Sequence, residues 1–241
     1  AVRYWAAAAR PGVDTAFDTA QMKVGRRLAT KLLNASRFVL GLPAEPSPVT
    51  TPVDLALLAR LASTVDAVTV AYERLDHATA LDRAEEFFWW FCDDHVELVK
   101  SRAYGTGPGA SSAVGALRVA LETVLRLFAP VLPFVTEEVW SWWREGSVHR
   151  ARWPSASELR PVVAPLPELP EAVSWVLDAV RKAKSDARVS VRAGLSTLDI
   201  WADGPTLDAL EAARDDLAAA AVADQVRLWP GEAAVEGVLS G

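Results

Sequence analysis

The chain has 241 residues, of which 51% are apolar and 23% charged, a balance typical of a globular protein with one large core or two modest ones. No apolar run approaches the roughly 18 residues that a membrane-spanning helix needs, and the first residues lack the pattern of a signal peptide. A single cysteine, Cys92, excludes an internal disulfide and suits a reducing compartment. We therefore expect a cytoplasmic protein that does not contact a membrane, and a piece of a longer chain, because the sequence begins with Ala1 rather than methionine.

The net charge of -6 is distributed unevenly along the chain. Residues 1–37 contain seven basic and two acidic side chains, whereas residues 203–241 contain eight acidic side chains and two arginines. The first region could therefore bind a polyanion, and the last would repel one.

The first predicted element is a helix from about Asp18 to Leu40, which Gly41 and Pro43 end. Its apolar residues recur at spacings of three and four, as in an amphipathic helix that packs on a core. They form one stripe that consists of Val24, Leu28, Leu32, Ala35 and Val39.

The opposite side of this helix is predicted to be a basic face, which consists of Lys23, Arg26, Arg27, Lys31, Asn34 and Arg37. At roughly 100° per residue, these side chains fall within an arc of roughly 140°. No Asp or Glu lies between the first and the last of them. Two interpretations remain open: a solvated surface, or a surface that follows a phosphate backbone, with Arg side chains forking onto phosphate oxygens.

Further helices are predicted over 52–75, 79–103 and 112–128, and a fifth begins with Thr136 as its N-cap. Successive amphipathic helices with short connections are typical of an antiparallel bundle.

The helix over 79–103 contains the stretch "EEFFWWFCDDHVELVK". Five adjacent aromatic residues point in every direction around a helix, so we expect most of them in the core, including Trp90 and Phe91. Cys92 and His95 could touch one metal ion, but two ligands are too few, and we predict no metal site.

The end of the same helix contains Lys100 and Arg102. One edge of the aromatic run, together with these two cations, could line a groove.

No catalytic constellation is visible in the sequence. Neighbouring carboxylates at Asp93–Asp94 and Glu137–Glu138 point roughly 100° apart on a helix, which suits no acid/base pair. "GTGPG" with Ser111 and Ser112 lacks the Lys-Ser/Thr of a phosphate-binding loop.

The passage from Pro154 to Pro170 is rich in proline and predicts an extended linker. A helix near 171–185, strand-like "RVSVR" and "STLDIWAD", an Ala-rich helix over 205–222 and strand-like "QVRLW" follow it. The predicted fold class is therefore mainly α, an antiparallel helical bundle followed by a small α/β domain. The predicted division is a first segment (1–17), the bundle (18–153), the linker (154–170) and the α/β domain (171–241).

Three stretches, "FDTAQMKVGRRLATKLLNASRFVL", "EEFFWWFCDDHVELVKSRAYG" and "VLRLFAPVLPFVTEEVW", together resemble the C-terminal portion of the valyl-tRNA synthetases, in an actinobacterial form. "WVLDAVRKAKSDARVSVR" is similar to the segment that follows in that family. The resemblance covers most of the chain. These sequence motifs, in this order, are specific to the valine enzymes and differ from the corresponding motifs of the isoleucine and leucine relatives.

The resemblance implies that the bundle is the family's anticodon-binding domain, whose first helix packs along the inside of the tRNA L. It implies valine-specific tRNA as the partner and a monomeric state. The candidate contacts are then the basic face together with Lys100 and Arg102.

The family's catalytic signatures, His-x-Gly-His and Lys-Met-Ser-Lys-Ser, do not occur in this sequence. Residues 1–17 resemble the strip that follows the catalytic domain. We therefore expect no catalytic residue and no cofactor in this chain, although the resemblance implies a parent enzyme that uses ATP and Mg to join valine to its tRNA. The family's C-terminal coiled coil does not begin before Gly241, and His95 stands where most relatives have Tyr.

Two other functions remain open. A free-standing helical bundle could act as a scaffold whose basic helix meets an acidic protein partner. A stand-alone paralogue could bind another RNA or a carrier protein.

Overall fold

The computed structural model describes residues 1–10, 12–160 and 166–240. Most of these residues are helical, and a small sheet lies near the C-terminus, so the predicted fold class is confirmed. In chain order, the helices before the sheet are α1 (Val2–Ala8), α2 (Thr19–Leu40), α3 (Pro52–Glu73), α4 (His77–Trp90), α5 (Val96–Ala103), α6 (Pro108–Phe128), α7 (Pro133–Ser141), α8 (Ala156–Leu159) and α9 (Leu169–Asp186). The remaining elements are β1 (Leu195–Ala202), α10 (Gly204–Ala212), α11 (Arg214–Ala221), β2 (Val226–Pro230) and β3 (Ala234–Leu239).

The chain forms two compact units, each assembled from separate stretches of sequence. Unit 1 consists of Ala1–Pro43, Leu58–Trp90 and Ala116–Arg160, and unit 2 of Ala44–Leu57, Phe91–Gly115 and the described residues after 165. The prediction assumed domains that are consecutive in the chain, whereas the compact units interleave. The predicted boundaries at 18, 154 and 171 stay a prediction, and residues 161–165 of the predicted linker lie outside the described residues.

Helix α2 is the longest continuous element of unit 1. It begins where the Asp18 carboxylate accepts a hydrogen bond from the Ala20 backbone N–H (2.7 Å), and it ends at Gly41. Val24 and Ala35, at the edges of the predicted apolar stripe, are half-buried. The side of α2 that faces the core consists of Gly25, Leu28, Leu32, Ser36 and Val39.

Gly25 allows α1 to lie directly against α2. A Cβ atom at position 25 would lie 2.5 Å from the Cβ of Tyr4, closer than non-bonded carbon atoms approach in proteins. Tyr4 is buried, and its hydroxyl donates to Glu85 Oε2 at 2.7 Å. The buried ring and this hydrogen bond hold α1, which the sequence analysis did not predict.

Unit 2 contains the sheet, in the strand order β2-β1-β3. β1 runs parallel to β2 and antiparallel to β3, with Ile200 opposite Leu228 on one side and Val235 on the other. Helices α9, α10 and α11 pack on the sheet and cover Leu198 and Ile200 of β1. The predicted α/β part is thereby confirmed.

The prediction of a strand over "RVSVR" was wrong. Arg188 has a positive φ of 55°, and the next residues form turns in which the Ser190 hydroxyl accepts from the Arg192 N–H. The Lys184 ammonium donates to the Val191 carbonyl at 3.0 Å, so this backbone bonds to a side chain instead of a neighbouring strand.

Two further elements of unit 2 differ from the prediction. The single helix expected over 205–222 is two helices, because Ala213, with φ -110° and ψ 6°, leaves the helical conformation between α10 and α11. Strand β3 was not predicted, because its residues "AVEGVL" show only a weak alternation of apolar and polar types.

The remaining corrections concern helix geometry. Thr136 is not an N-cap: α7 begins at Pro133, and the buried Thr136 hydroxyl donates back to the Leu132 carbonyl at 3.0 Å. The helix expected over 79–103 contains a π-helical turn at Phe91–His95, which separates α4 from α5.

Candidate nucleic-acid interface

The basic face of α2 is open to solvent. Five of its six side chains are exposed, and Lys31 is half-buried. This arrangement follows from the sequence periodicity, because the buried residues of α2 occupy the opposite side of the helix. The predicted basic face therefore exists as a solvent-exposed surface of unit 1.

Two cations of the basic face lie over tryptophan rings. Lys31 Nζ is 5.9 Å from the centre of the Trp89 ring, and Arg37 Cζ is 5.9 Å from the centre of the Trp142 ring. These distances fall at the outer limit of cation–π contact. The Trp142 indole N–H donates to Glu138 Oε1 at 3.1 Å, which fixes the ring beneath Arg37.

The composition of unit 1 supports binding of an anion. Its three stretches contain sixteen Lys and Arg against thirteen Asp and Glu, a net charge of +3. The uninterrupted cations of α2 concentrate this excess at one surface, where a polyanion would experience their summed potential.

Lys100 and Arg102 belong to unit 2, and their surroundings differ from those of the basic face. Lys100 is exposed on α5 and pairs with Glu97 at 3.3 Å. The Arg102 side chain is only 20% exposed and lies between the carboxylates of Asp54 and Asp216.

Arg102 uses all three of its guanidinium nitrogens inside unit 2. Nη1 and Nη2 donate to the two oxygens of Asp54 (both 2.9 Å), while Nε and Nη2 donate to Asp216 (2.9 to 3.1 Å). Nη1 also donates to the Gly109 carbonyl at 2.9 Å. This geometry makes Arg102 a structural residue, and we do not retain it among the candidate RNA contacts.

The pKa values of Arg102, Asp54 and Asp216 depend on one another. Burial opposes ionisation of Asp54, but hydrogen bonds from Arg102 and the charge of its guanidinium lower the pKa of Asp54 overall. Burial raises the pKa of Asp216, against the opposing effect of Arg102. The pKa of Arg102 itself is raised, because its two carboxylates outweigh the cost of burial.

His95 and Cys92 are buried in the π-helical turn. The pKa of His95 is lowered to about 4, chiefly by burial and in part by the Arg102 charge, while Asp54 opposes the shift. The imidazole is therefore neutral at neutral pH. The described part of the chain contains no group of three or more His, Cys, Asp or Glu that could hold a metal ion.

The aromatic run divides between core and surface. Phe87, Phe88 and Phe91 are buried, whereas Trp89 and Trp90 are half-buried. The expectation of a buried Trp90 was therefore wrong: the Arg60 guanidinium lies 4.2 Å from the centre of its ring and shares the surface with it.

Sequence reasoning missed the exposed aromatic residues at the two ends of α7. Phe134 at the start of α7 is 88% exposed, and Trp142 at its end is 39% exposed. Their spacing of eight residues within "PFVTEEVWSW" was the available signal, because residues eight apart lie on neighbouring positions of one helix surface.

A family model described as the anticodon-binding domain of tRNA ligase matches residues 54–198. The chain belongs to this anticodon-binding domain family. The match covers more than half of the chain, and it begins after α2.

Relatives named valine–tRNA ligase match about nine tenths of the chain. The relative from Thermobifida fusca (strain YX) is 52% identical over 227 residues, which are 91% of this chain and 26% of the relative. The relative from Salinispora tropica is 49% identical over 249 residues, covering 94% and 29%. The relative from Cutibacterium acnes is 48% identical, covering 90% and 25%. The resemblance to actinobacterial valyl-tRNA synthetases is thus confirmed, and the chain spans about a quarter of the length of these relatives.

A solved structure has a similar fold over about two thirds of this chain. The LeuRS of Agrobacterium radiobacter K84, in a ternary complex with tRNA and LeuAMS, matches with a TM-score of 0.51 at 18% identity, over 66% of this chain and 20% of that chain. Within the described ranges, no helix has the length and apolar character that crossing a membrane requires.

Proposed function

We propose that this chain is the tRNA-binding, anticodon-binding part of a valine–tRNA ligase, and that the basic face of α2 provides its phosphate contacts. The observation that supports this most directly is the exposed row of cations between Lys23 and Arg37, uninterrupted by any acid, in a chain of this family. Lysine and arginine at a surface bind phosphate oxygens whatever the base sequence.

The parent enzyme would join valine to its tRNA, as the name of the relatives suggests, and we propose that it uses ATP and Mg for this reaction. We propose that this chain, a cytoplasmic monomer, contributes binding and no catalytic group. The isolated chain should therefore show no valine-dependent exchange between ATP and pyrophosphate, and exchange above a buffer blank would contradict this assignment. The scaffold function is less well supported, because the family match gives no reason to expect an acidic protein partner.

The experiment measures the affinity of the chain for a valine tRNA transcript over a range of salt concentrations. Arg26 and Arg27 are both exposed, on the side of α2 away from the core. Replacing both with Ala should weaken binding and reduce the slope of log K against log salt by about 1.4 to 1.8, since each phosphate contact contributes roughly 0.7 to 0.9.

A matched control removes two positive charges elsewhere. Lys182 and Arg192 are exposed in unit 2, and replacing both with Ala changes the net charge by the same amount. This control should leave the slope unchanged. Equal slopes for the Arg26→Ala/Arg27→Ala variant and the unchanged chain would mean that the basic face is a solvated surface only.

A further inference from the structure

Helix α7 presents a row of side chains to solvent, which we call the α7 ledge: Phe134, Glu138 and Trp142. These residues are spaced four apart, so they lie within an arc of roughly 80° and along roughly 12 Å of the helix. Phe134 is 88% exposed, an unusual state for a phenylalanine, and Trp142 is 39% exposed. Two large aromatic rings therefore face solvent on one side of a single short helix.

The α7 ledge adjoins the basic face of α2 within unit 1. Helices α2 and α7 pack together, and Arg37 of the basic face lies over the Trp142 ring at 5.9 Å. The hydrogen bond from the Trp142 indole N–H to Glu138 (3.1 Å) holds the ring edge along the ledge. A phosphate backbone that follows the basic face would therefore end beside exposed aromatic rings.

From this juxtaposition we propose that the α7 ledge is a stacking surface for unpaired nucleobases of the RNA held by the basic face. The inference rests on the proposed function and assigns a role to Phe134 that neither the family match nor the relatives give. Its chemistry is base stacking on the Phe134 ring, with the Trp142 ring, fixed by Glu138 and covered by Arg37, closing the end of the ledge.

The charge of the ledge favours bases over phosphates. Glu138 stands between the two aromatic residues and would repel a phosphate placed there, whereas an uncharged base has no such penalty. Every base has a π-face, so stacking on an exposed ring tolerates sequence and needs no further donor or acceptor. The basic face and the α7 ledge therefore divide the recognition of backbone and base.

The experiment compares two RNA probes, a hairpin with an unpaired loop and a blunt duplex of the same length. Phe134→Leu keeps an apolar side chain of similar size and removes the π-face. It should weaken binding of the hairpin about five-fold or more, because stacking on an aromatic residue typically contributes that much per base. It should leave the duplex affinity unchanged, and Phe134→Trp should restore hairpin binding.

Salt dependence separates this proposal from the proposed function. Stacking releases no counterions, so Phe134→Leu should keep the salt slope of the unchanged chain, whereas Arg26→Ala/Arg27→Ala should reduce the slope for both probes. If Phe134→Leu binds the hairpin as tightly as the unchanged chain while the arginine variant binds it more weakly, the proposal of base stacking on the α7 ledge is overturned and the proposed function stands. If the arginine variant also binds normally, the proposed function fails. Equal weakening of hairpin and duplex by Phe134→Leu would contradict base stacking.

Discussion

The basic face of unit 1 and the Arg102 cluster of unit 2 use positive charge in opposite ways. Unit 1 has a net charge of +3 and leaves the cations of α2 at the surface. Unit 2 contains nine Lys and Arg against eighteen Asp and Glu, a net charge of -9, and commits several of its cations to internal partners. Arg26 and Arg102 belong to the same residue type, so what separates the exposed arginine from the structural one is the supply of nearby carboxylates.

Other cations of unit 2 follow Arg102 in this respect. Arg181 donates to Asp94 (2.8 Å) and to Asp178 (2.9 Å). The buried Lys184 donates to the carbonyls of Val191 and Ala221. A cluster of cations in a sequence therefore predicts anion binding only where the fold brings no acid to it.

The largest expected effect is the loss of Arg102. Arg102→Met should lower the free energy of unfolding by about 3 to 5 kcal/mol, because it leaves two buried carboxylates without their partner. Urea unfolding at neutral pH measures this change. Adding Asp54→Asn and Asp216→Asn to the same chain should recover part of the loss, and a triple variant no more stable than the single one would contradict the electrostatic explanation.

The next test compares two neighbouring aromatic residues. Phe91 is completely buried, and Phe91→Ala should lower the free energy of unfolding by about 3 to 5 kcal/mol. Trp90 is half-buried beneath Arg60, so Trp90→Ala should cost less, although the side chain removed is larger. Thermal or urea unfolding of both variants checks the order, which equal losses would contradict.

The pH dependence of stability should reflect His95. Its pKa is about 4 in the folded chain and about 6.5 when unfolded, so the unfolded chain binds the proton first as the pH falls. Stability of about 3 kcal/mol is therefore present above pH 6.5 and is lost progressively between pH 6.5 and pH 4.

Urea unfolding at several pH values, with His95→Phe as the comparison, measures this contribution. The variant lacks the proton-binding site but keeps the neighbouring carboxylates, so its stability should fall less steeply in the same range. Parallel pH profiles for the two chains would show that His95 does not contribute.

The smallest expected effect on stability is at the basic face. Arg26→Ala/Arg27→Ala should change the free energy of unfolding by less than about 0.5 kcal/mol per residue, since both side chains are exposed on a helix and alanine favours the helix. The same urea experiment that detects Arg102→Met serves here. A loss of several kcal/mol would place these arginines with Arg102 and remove the contrast between the units.

Local pattern was sufficient for part of this structure. The cap at Asp18 and the glycine at position 41 set the limits of α2, and its apolar spacing sets its exposed face, because all three depend on neighbouring residues in the sequence. The partners of Arg102 lie 48 and 114 positions away, so no local pattern indicates them. Helix α1 was missed for the same reason, since Tyr4 finds Glu85 across 81 positions.

The network around Arg102 also has a consequence for synthesis of the chain. Asp54 and Arg102 both leave the ribosome long before Asp216, which follows 114 residues later, or roughly 6 to 23 s at ordinary rates of translation. During that interval the Asp54 carboxylate alone is available to balance the charge of the Arg102 guanidinium. The final carboxylate then adds a negative charge to a cluster that is already neutral, so the closing step of unit 2 has to bring its own stabilisation from the helices and sheet that arrive with Asp216.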